Sequence, residues 1–173
     1  PLGLTEHRGR LVPARRNIIT AVVSVCRPAN RGTIRLRSAD AAAPPLISFP
    51  MLGDKRDMQR LISGARLVRR ILATPPLGGH VIAETWPGPA VESDAAWETY
   101  VRAAAYPNYH PAGTCRMGAD DAAVVDERLR LRGLEGLRIA DASVMPAIVS
   151  GNTNATCILI GEKAAELILG ERA

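Results

Sequence analysis

The chain has 173 residues, of which 47% are apolar and 23% are charged, and its formal net charge is +5. This length and composition are ordinary for a globular domain with its own core and exclude disorder of the whole chain. The positive charge comes from scattered Arg rather than from a basic run interleaved with aromatics, and no apolar run reaches 18 residues, so neither a nucleic-acid partner nor a membrane span is expected.

The first third of the chain predicts an antiparallel strand pair. Residues 1–16 are polar and basic and are expected to form a loosely held N-terminal stretch. Residues 17–25, NIITAVVSV, are rich in β-branched side chains and predict a strand. Residues 33–37 alternate between apolar and polar side chains, which is typical of a half-buried strand. The short turn between these two segments favours their pairing.

Two helices are predicted in the middle of the chain. Asp54 is placed to cap the first, whose apolar residues recur three and four apart as one stripe, and Pro75 ends it. Residues 80–86 are a weaker strand candidate. Ser93 is placed to cap the second helix, which ends before Pro107.

Polar loops dominate the last third of the chain. A Gly- and Pro-rich loop spans residues 108–118, and short strands are predicted at residues 129–131 and 137–140. A second polar loop, residues 141–152, leads into a final helix from about residue 154 to residue 169. That helix is apolar around most of its circumference, which predicts burial on several sides and therefore a missing partner segment.

Each polar loop carries residues suited to moving a proton or holding a polar ligand. His110 lies in YHPAGTCRMG, where an imidazole could accept a hydroxyl proton near neutral pH or merely hydrogen-bond a turn. Residues 150–154, SGNTN, open the final helix, whose free N–H groups could bind an anion or a polarised carbonyl, or could simply be capped. Each loop taken alone leaves both interpretations open.

Taken together, the motifs are far more specific. They run in the order H-P-x-G-T-x-x-M-G, L-R-x-x-G-x-x-G-L-R-x-A-D-A-S-x-M-P and S-G-N-T-N-A. This series resembles the C-terminal part of the glucose–methanol–choline (GMC) oxidoreductases, and in particular their choline dehydrogenase and alcohol dehydrogenase branch. The resemblance is strongest over residues 108–169 and reaches back through residues 31–47.

The resemblance implies an α+β fold: an antiparallel or mixed sheet with flanking helices, and a C-terminal strand and helix that pack back onto an FAD-binding domain. Residues 17–107 would form the substrate-binding region and residues 108–173 the active-site loops and C-terminal helix. His110 would be the proton acceptor and Asn152 the second catalytic residue. The residues implied to lie against FAD are Asp141, Ala142, Thr153 and Asn154.

The sequence lacks the G-x-G-x-x-G turn that holds the pyrophosphate of a dinucleotide. We therefore expect a C-terminal fragment, inactive alone, that needs a separate FAD-binding segment or subunit to oxidise a primary or secondary alcohol with FAD. A non-catalytic or subunit-type domain of this fold and a lyase on the same fold are the alternatives.

The cysteines and histidines indicate neither a disulfide framework nor a metal site. The three cysteines are Cys26, Cys115 and Cys157. They are far apart and odd in number, which favours a reducing, cytoplasmic compartment. The histidines show no metal-ligand spacing, so no metal is expected.

Overall fold

The computed structural model describes residues 17–170 and, as strand backbone, residues 4–7 and 10–13. The chain forms two compact units, one of residues up to 25 together with residues 54–106, and the other of residues 26–53 together with residues 107 onward. Both units combine helices with antiparallel strand pairs, which confirms the α+β class.

The first unit begins with a hairpin that the sequence analysis did not predict, because the polar, basic residues there show no clear strand pattern. Strands β1 (Leu4–His7) and β2 (Arg10–Pro13) pair antiparallel. The strand predicted at residues 17–25 is wrong, since that segment is irregular throughout. A β-branched run suits a strand, but a strand forms only where a second one completes the hydrogen-bond ladder. Here Val23 packs instead against the backbone of Gly64, in the helix Lys55–Ala73. A Cβ placed on Gly64 would lie 2.5 Å from Val23 Cγ1.

Both helices predicted for this unit are confirmed. Helix α1 (Lys55–Ala73) starts after Asp54, whose carboxylate accepts the Arg56 backbone N–H at 2.8 Å. Helix α2 (Asp94–Ala104) starts after Ser93, whose hydroxyl accepts the Ala96 N–H at 3.2 Å. Each cap satisfies a donor that the helix itself leaves free. The residues these helices bury are Asp57, Met58 and Ile62 in α1 and Trp97 and Val101 in α2.

Arg69 of α1 holds the chain that leads into α2. Its guanidinium donates to Glu84 Oε1 at 2.7 Å and to the carbonyls of Val91 and Gly88 at 2.7 and 3.2 Å. It also lies 4.6 Å from the centroid of the Trp97 ring, within cation–π range. The guanidinium thus binds groups from several points along this connecting segment.

The weak strand predicted at residues 80–86 is therefore wrong. The segment starts at the end of a 3-10 helix, Leu77–His80, and continues as irregular chain. Its Glu84 is bound to a side chain of α1, and no neighbouring strand is available among the described residues to pair with its backbone.

The second unit opens with a hairpin of β3 (Thr33–Arg35) and β4 (Leu46–Ser48), in which Ile34 pairs with Ile47. This confirms a strand at Thr33 but not its predicted partner or its predicted burial, since both strands are exposed. Among the described residues, the apolar side chains of this predicted strand, Ile34 and Leu36, are 52% and 87% exposed.

The short strands predicted at residues 129–131 and 137–140 do pair antiparallel, but the pairing is limited to one bridge between Arg130 and Arg138. It is closed by backbone bonds from Leu131 N–H to the Leu137 carbonyl (2.9 Å) and from Ile139 N–H to the Leu129 carbonyl (3.1 Å). The carboxylate of Asp126 accepts the backbone N–H groups of Arg128 and Arg130, both at 2.9 Å. The pairing with residues 137–140 instead uses the neighbouring residues Leu129 and Leu131, and it stays short because Leu129 has φ +63°, outside the extended region that a strand requires. The result is a series of tight turns.

The predicted final helix is confirmed as α3 (Asn154–Gly170). It joins the core of the second unit through Ala164, which is buried with Val125, Leu129 and Val144. Large apolar side chains of α3 remain exposed within this chain, so the burial of α3 on several sides, expected against a missing partner segment, stays a prediction. The exposed side chains are Ile158 (59%), Leu159 (58%) and Leu169 (65%). Within the described ranges, none of the helices is long and apolar enough to cross a membrane.

Candidate active site

The backbone in front of His110 is held in an uncommon conformation. Tyr109 has φ +59°, in the left-handed region that bulky residues rarely adopt, and its side chain is 84% exposed. Pro111 follows directly, and the His110 side chain is half-buried. Strain of this kind persists only where the surrounding structure fixes the conformation, and it often occurs at functional sites.

The two polar loops are joined by a short backbone ladder. The bonds run from Gly113 N–H to the Ala142 carbonyl (3.4 Å), from Cys115 N–H to the Ser143 carbonyl (3.0 Å) and from Met117 N–H to the Val144 carbonyl (2.8 Å). Alternate residues of the first loop thus bind successive residues of the second. Residues some 30 positions apart in the sequence therefore form one local structure.

Asp141 and Ala142 shape the second loop. The exposed Asp141 carboxylate accepts the Ser143 N–H at 2.7 Å and so caps a one-turn 3-10 helix, Ala142–Val144. The half-buried Ala142 gives its carbonyl to Gly113. Gly113 has φ +88°, and a Cβ there would lie 3.2 Å from the Met145 carbonyl oxygen. Glycine at position 113 lets the two backbones approach this closely.

A side-chain contact connects the loops a second time. His110 Nδ1 lies 2.9 Å from Thr153 Oγ1, and the Thr153 side chain is buried. The Thr153 carbonyl accepts the Cys157 N–H at 2.9 Å, so Thr153 is the N-cap residue of α3. Asn152 and Asn154 are exposed on either side of it. The structure thus ties His110 directly to the start of α3, whereas Asp141 and Ala142 meet the His110 loop through backbone bonds.

An ion pair braces the far end of the ladder. Arg116 binds Asp120 through both carboxylate oxygens, at 2.6 and 2.9 Å. The Arg116 guanidinium lowers the pKa of Asp120 to about 2. Because Arg116 lies between the ladder residues Cys115 and Met117, this pair stabilises the turn that reverses the chain after the ladder.

Sequence reasoning assigned Thr153 only to the cofactor and missed its bond to His110. The pattern offers one signal for it, a hydroxyl at the start of a helix, but that signal is shared by every Thr cap. The left-handed Tyr109 has no signal in the sequence, because its conformation depends on contacts outside the local chain.

Comparisons with known proteins identify the family of this chain. The C-terminal family model described as GMC oxidoreductase matches residues 28–161. An alcohol dehydrogenase [acceptor] of Pseudomonas putida is 46% identical over 142 residues, 82% of this chain and 26% of that protein. An oxygen-dependent choline dehydrogenase of Klebsiella pneumoniae is 44% identical over 150 residues, 87% of this chain and 27% of that protein.

Solved structures show the same relationship. Pyridoxine 4-oxidase from Mesorbium loti aligns with a TM-score of 0.76 at 33% identity, over 82% of this chain and 28% of that one. A fungal aryl-alcohol oxidase aligns with a TM-score of 0.75 at 35% identity, over 84% and 24%. The chain belongs to the GMC oxidoreductase family, and it spans about a quarter of the length of the curated relatives it matches.

Proposed function

We propose that this chain supplies the proton-handling side of the active site in an FAD-dependent enzyme that oxidises a primary or secondary alcohol. The observation that carries the proposal is the 2.9 Å contact between His110 and Thr153, which joins the histidine loop to the start of α3. The relatives support it, since those named above are an alcohol dehydrogenase, a choline dehydrogenase and an aryl-alcohol oxidase.

The residues at the start of α3 fit a flavin. The first N–H groups of a helix have no intrahelical acceptor, and the dipole places partial positive charge there. Asn152 and Asn154 add exposed, uncharged amides that can donate as well as accept. This donor set suits a heteroaromatic ring with carbonyl oxygens that gains negative charge on reduction. When bound, the flavin would supply the acceptor for the hydride that leaves the alcohol carbon.

In the proposed reaction, His110 accepts the proton of the substrate hydroxyl, because a neutral imidazole is a competent base near pH 7. The Asn152 amide donates a hydrogen bond to the oxygen as negative charge develops on it. Thr153 and Asn154 would hold the flavin, where the N-terminus of α3 would favour the negative charge of its reduced form. Asp141 and Ala142 would contribute to holding FAD.

Tight FAD binding is proposed to depend on a dinucleotide-binding segment outside these 173 residues, because the chain contains no G-x-G-x-x-G turn. The exposed apolar face of α3, with Ile158, Leu159 and Leu169, is the surface we propose for that contact. Without the segment, the chain is expected to be inactive. The three cysteines are free thiols, which supports the proposed reducing, cytoplasmic setting.

The test is the substitution His110→Ala in the flavin-loaded enzyme. Loss of a general base should lower kcat by about 10²- to 10⁴-fold while the flavin absorbance and its stoichiometry stay unchanged. His80→Ala, at an exposed histidine of the other unit, is the matched control and should turn over normally. Near-normal turnover of His110→Ala would refute the proposed role.

A further inference from the structure

We propose that Thr153 is a positioning residue that selects the reactive nitrogen of His110. In this view the Thr153 hydroxyl accepts a hydrogen bond from Nδ1–H and thereby leaves the lone pair on Nε2. The inference rests on the proposed function, in which His110 accepts a proton.

The first support is the hydrogen bond that the Thr153 hydroxyl makes with His110. A Thr at an N-cap position ordinarily accepts a backbone N–H from the second or third helical residue, here Ala155 or Thr156. Over residues 17–170, the hydrogen bond recorded for this hydroxyl is the one to His110 Nδ1, at 2.9 Å. The side chain is turned away from its capping role and toward the imidazole.

The second support is the burial and backbone anchoring of Thr153. Only 7% of its surface is exposed, and its carbonyl is fixed by the first hydrogen bond of α3, from Cys157 N–H. A hydroxyl held this way has little freedom to follow the ring. His110, on a loop that starts at the strained Tyr109, is therefore positioned by the helix start rather than the reverse.

The proposed role of His110 gives the direction of the bond, because a Thr hydroxyl can either donate or accept. In a neutral imidazole one nitrogen carries the hydrogen and the other accepts. With hydrogen on Nδ1, the substrate O–H bond can break as an Nε2–H bond forms, and Nδ1–H stays on Thr153 throughout. In the opposite arrangement Nε2 already carries hydrogen and cannot accept the proton.

The test is nitrogen NMR of the ¹⁵N-histidine-labelled full chain, whose long-range ¹H–¹⁵N pattern distinguishes the two neutral tautomers. His7→Gln and His80→Gln assign the His110 signals. The wild type and Thr153→Ser, which keeps the hydroxyl, should show the Nδ1–H tautomer. Thr153→Val, which keeps the shape, should shift His110 toward the Nε2–H form, and Thr156→Val should have no effect.

An Nε2–H tautomer in the wild type, or an unchanged Nδ1–H tautomer in Thr153→Val, would overturn the inference. The wild-type spectrum decides the point even if the Val variant does not fold. In the flavin-loaded enzyme, Thr153→Val should lower kcat by about 10- to 100-fold with little change in KM, by analogy with groups that orient a metal-bound imidazole, and Thr153→Ser should restore it.

The two proposals fail in different experiments. If His110→Ala retains turnover, the proposed function fails whatever the tautomer. If His110→Ala abolishes turnover while Thr153→Val keeps both the Nδ1–H tautomer and the wild-type kcat, only the positioning role of Thr153 fails.

Discussion

Replacing Gly113 by Ala should destabilise the chain at the junction of its two polar loops. Gly113 has φ +88°, where a residue with a Cβ is strained by about 1–3 kcal/mol. The new Cβ would also lie 3.2 Å from the Met145 carbonyl oxygen, closer than an ordinary contact. The neighbouring ladder bond to the Ala142 carbonyl is already long at 3.4 Å and offers little resistance to displacement.

We expect the free energy of unfolding of Gly113→Ala to fall by about 2 kcal/mol, with roughly 1–3 as the range. For a chain of this size, such a change corresponds to a fall of about 4–8 °C in Tm. Urea denaturation and thermal melts followed by circular dichroism of the full chain measure both quantities.

Substitutions at two further glycines distinguish backbone strain from the close contact with the Met145 carbonyl. Gly133 has φ +82° but nothing within 4 Å of an added Cβ, so Gly133→Ala reports the backbone strain alone. Gly79 has an ordinary φ and equally open surroundings, so Gly79→Ala should be neutral or slightly stabilising. The expected order of destabilisation is Gly113, then Gly133, then Gly79. If Gly113→Ala unfolds at the same midpoint as Gly79→Ala, the account of this junction is wrong.

Two other stability predictions concern α1. Arg69→Met should cost about 2–3 kcal/mol by urea denaturation, because it removes the bonds to Glu84 and two carbonyls and leaves acceptors unpaired. Arg66→Met, which loses an exposed pair with Asp94 and an exposed bond to the Glu92 carbonyl, should cost under about 1 kcal/mol. Equal losses for the two variants would contradict the prediction. For Asp54, the hydrogen bond from the Arg56 side chain lowers the carboxyl pKa to about 2. Because folding depresses this pKa, the ionised Asp54 stabilises the fold above about pH 4, and this stabilisation disappears as the pH falls through about 2. Asp54→Asn, which can still cap the helix, should therefore be less stable than the wild type above about pH 4 and equally stable near pH 2. A difference in the free energy of unfolding that does not change with pH would contradict this prediction.

The helices were predictable because their signals are local. The caps Asp54 and Ser93 act on N–H groups two or three residues away, and the apolar stripes repeat within a few turns. The family, too, followed from the sequence, because the H-P-x-G-T-x-x-M-G and S-G-N-T-N-A motifs occur together in order. The roles assigned to His110 and Asn152 remain predictions drawn from that resemblance.

Apart from the strand at Thr33, the strands were not predictable, because each depends on a partner elsewhere in the chain. Residues 17–25 have the composition of a strand and no ladder, while residues 46–48, which stood in no predicted element, pair with β3. Residues 129–131 pair with residues 137–139 over a single bridge, because Leu129 at φ +63° does not continue a strand. Side-chain composition favours strand conformation, but a strand forms only where another segment supplies the hydrogen-bond partners.

By itself, the sequence determined the helices, the family and which residue types stand at the candidate site. Only the tertiary structure decided that the two polar loops meet and that the hydroxyl next to Asn152 faces His110. A contact between residues 43 positions apart leaves no local pattern, since it depends on how the intervening turns return the chain.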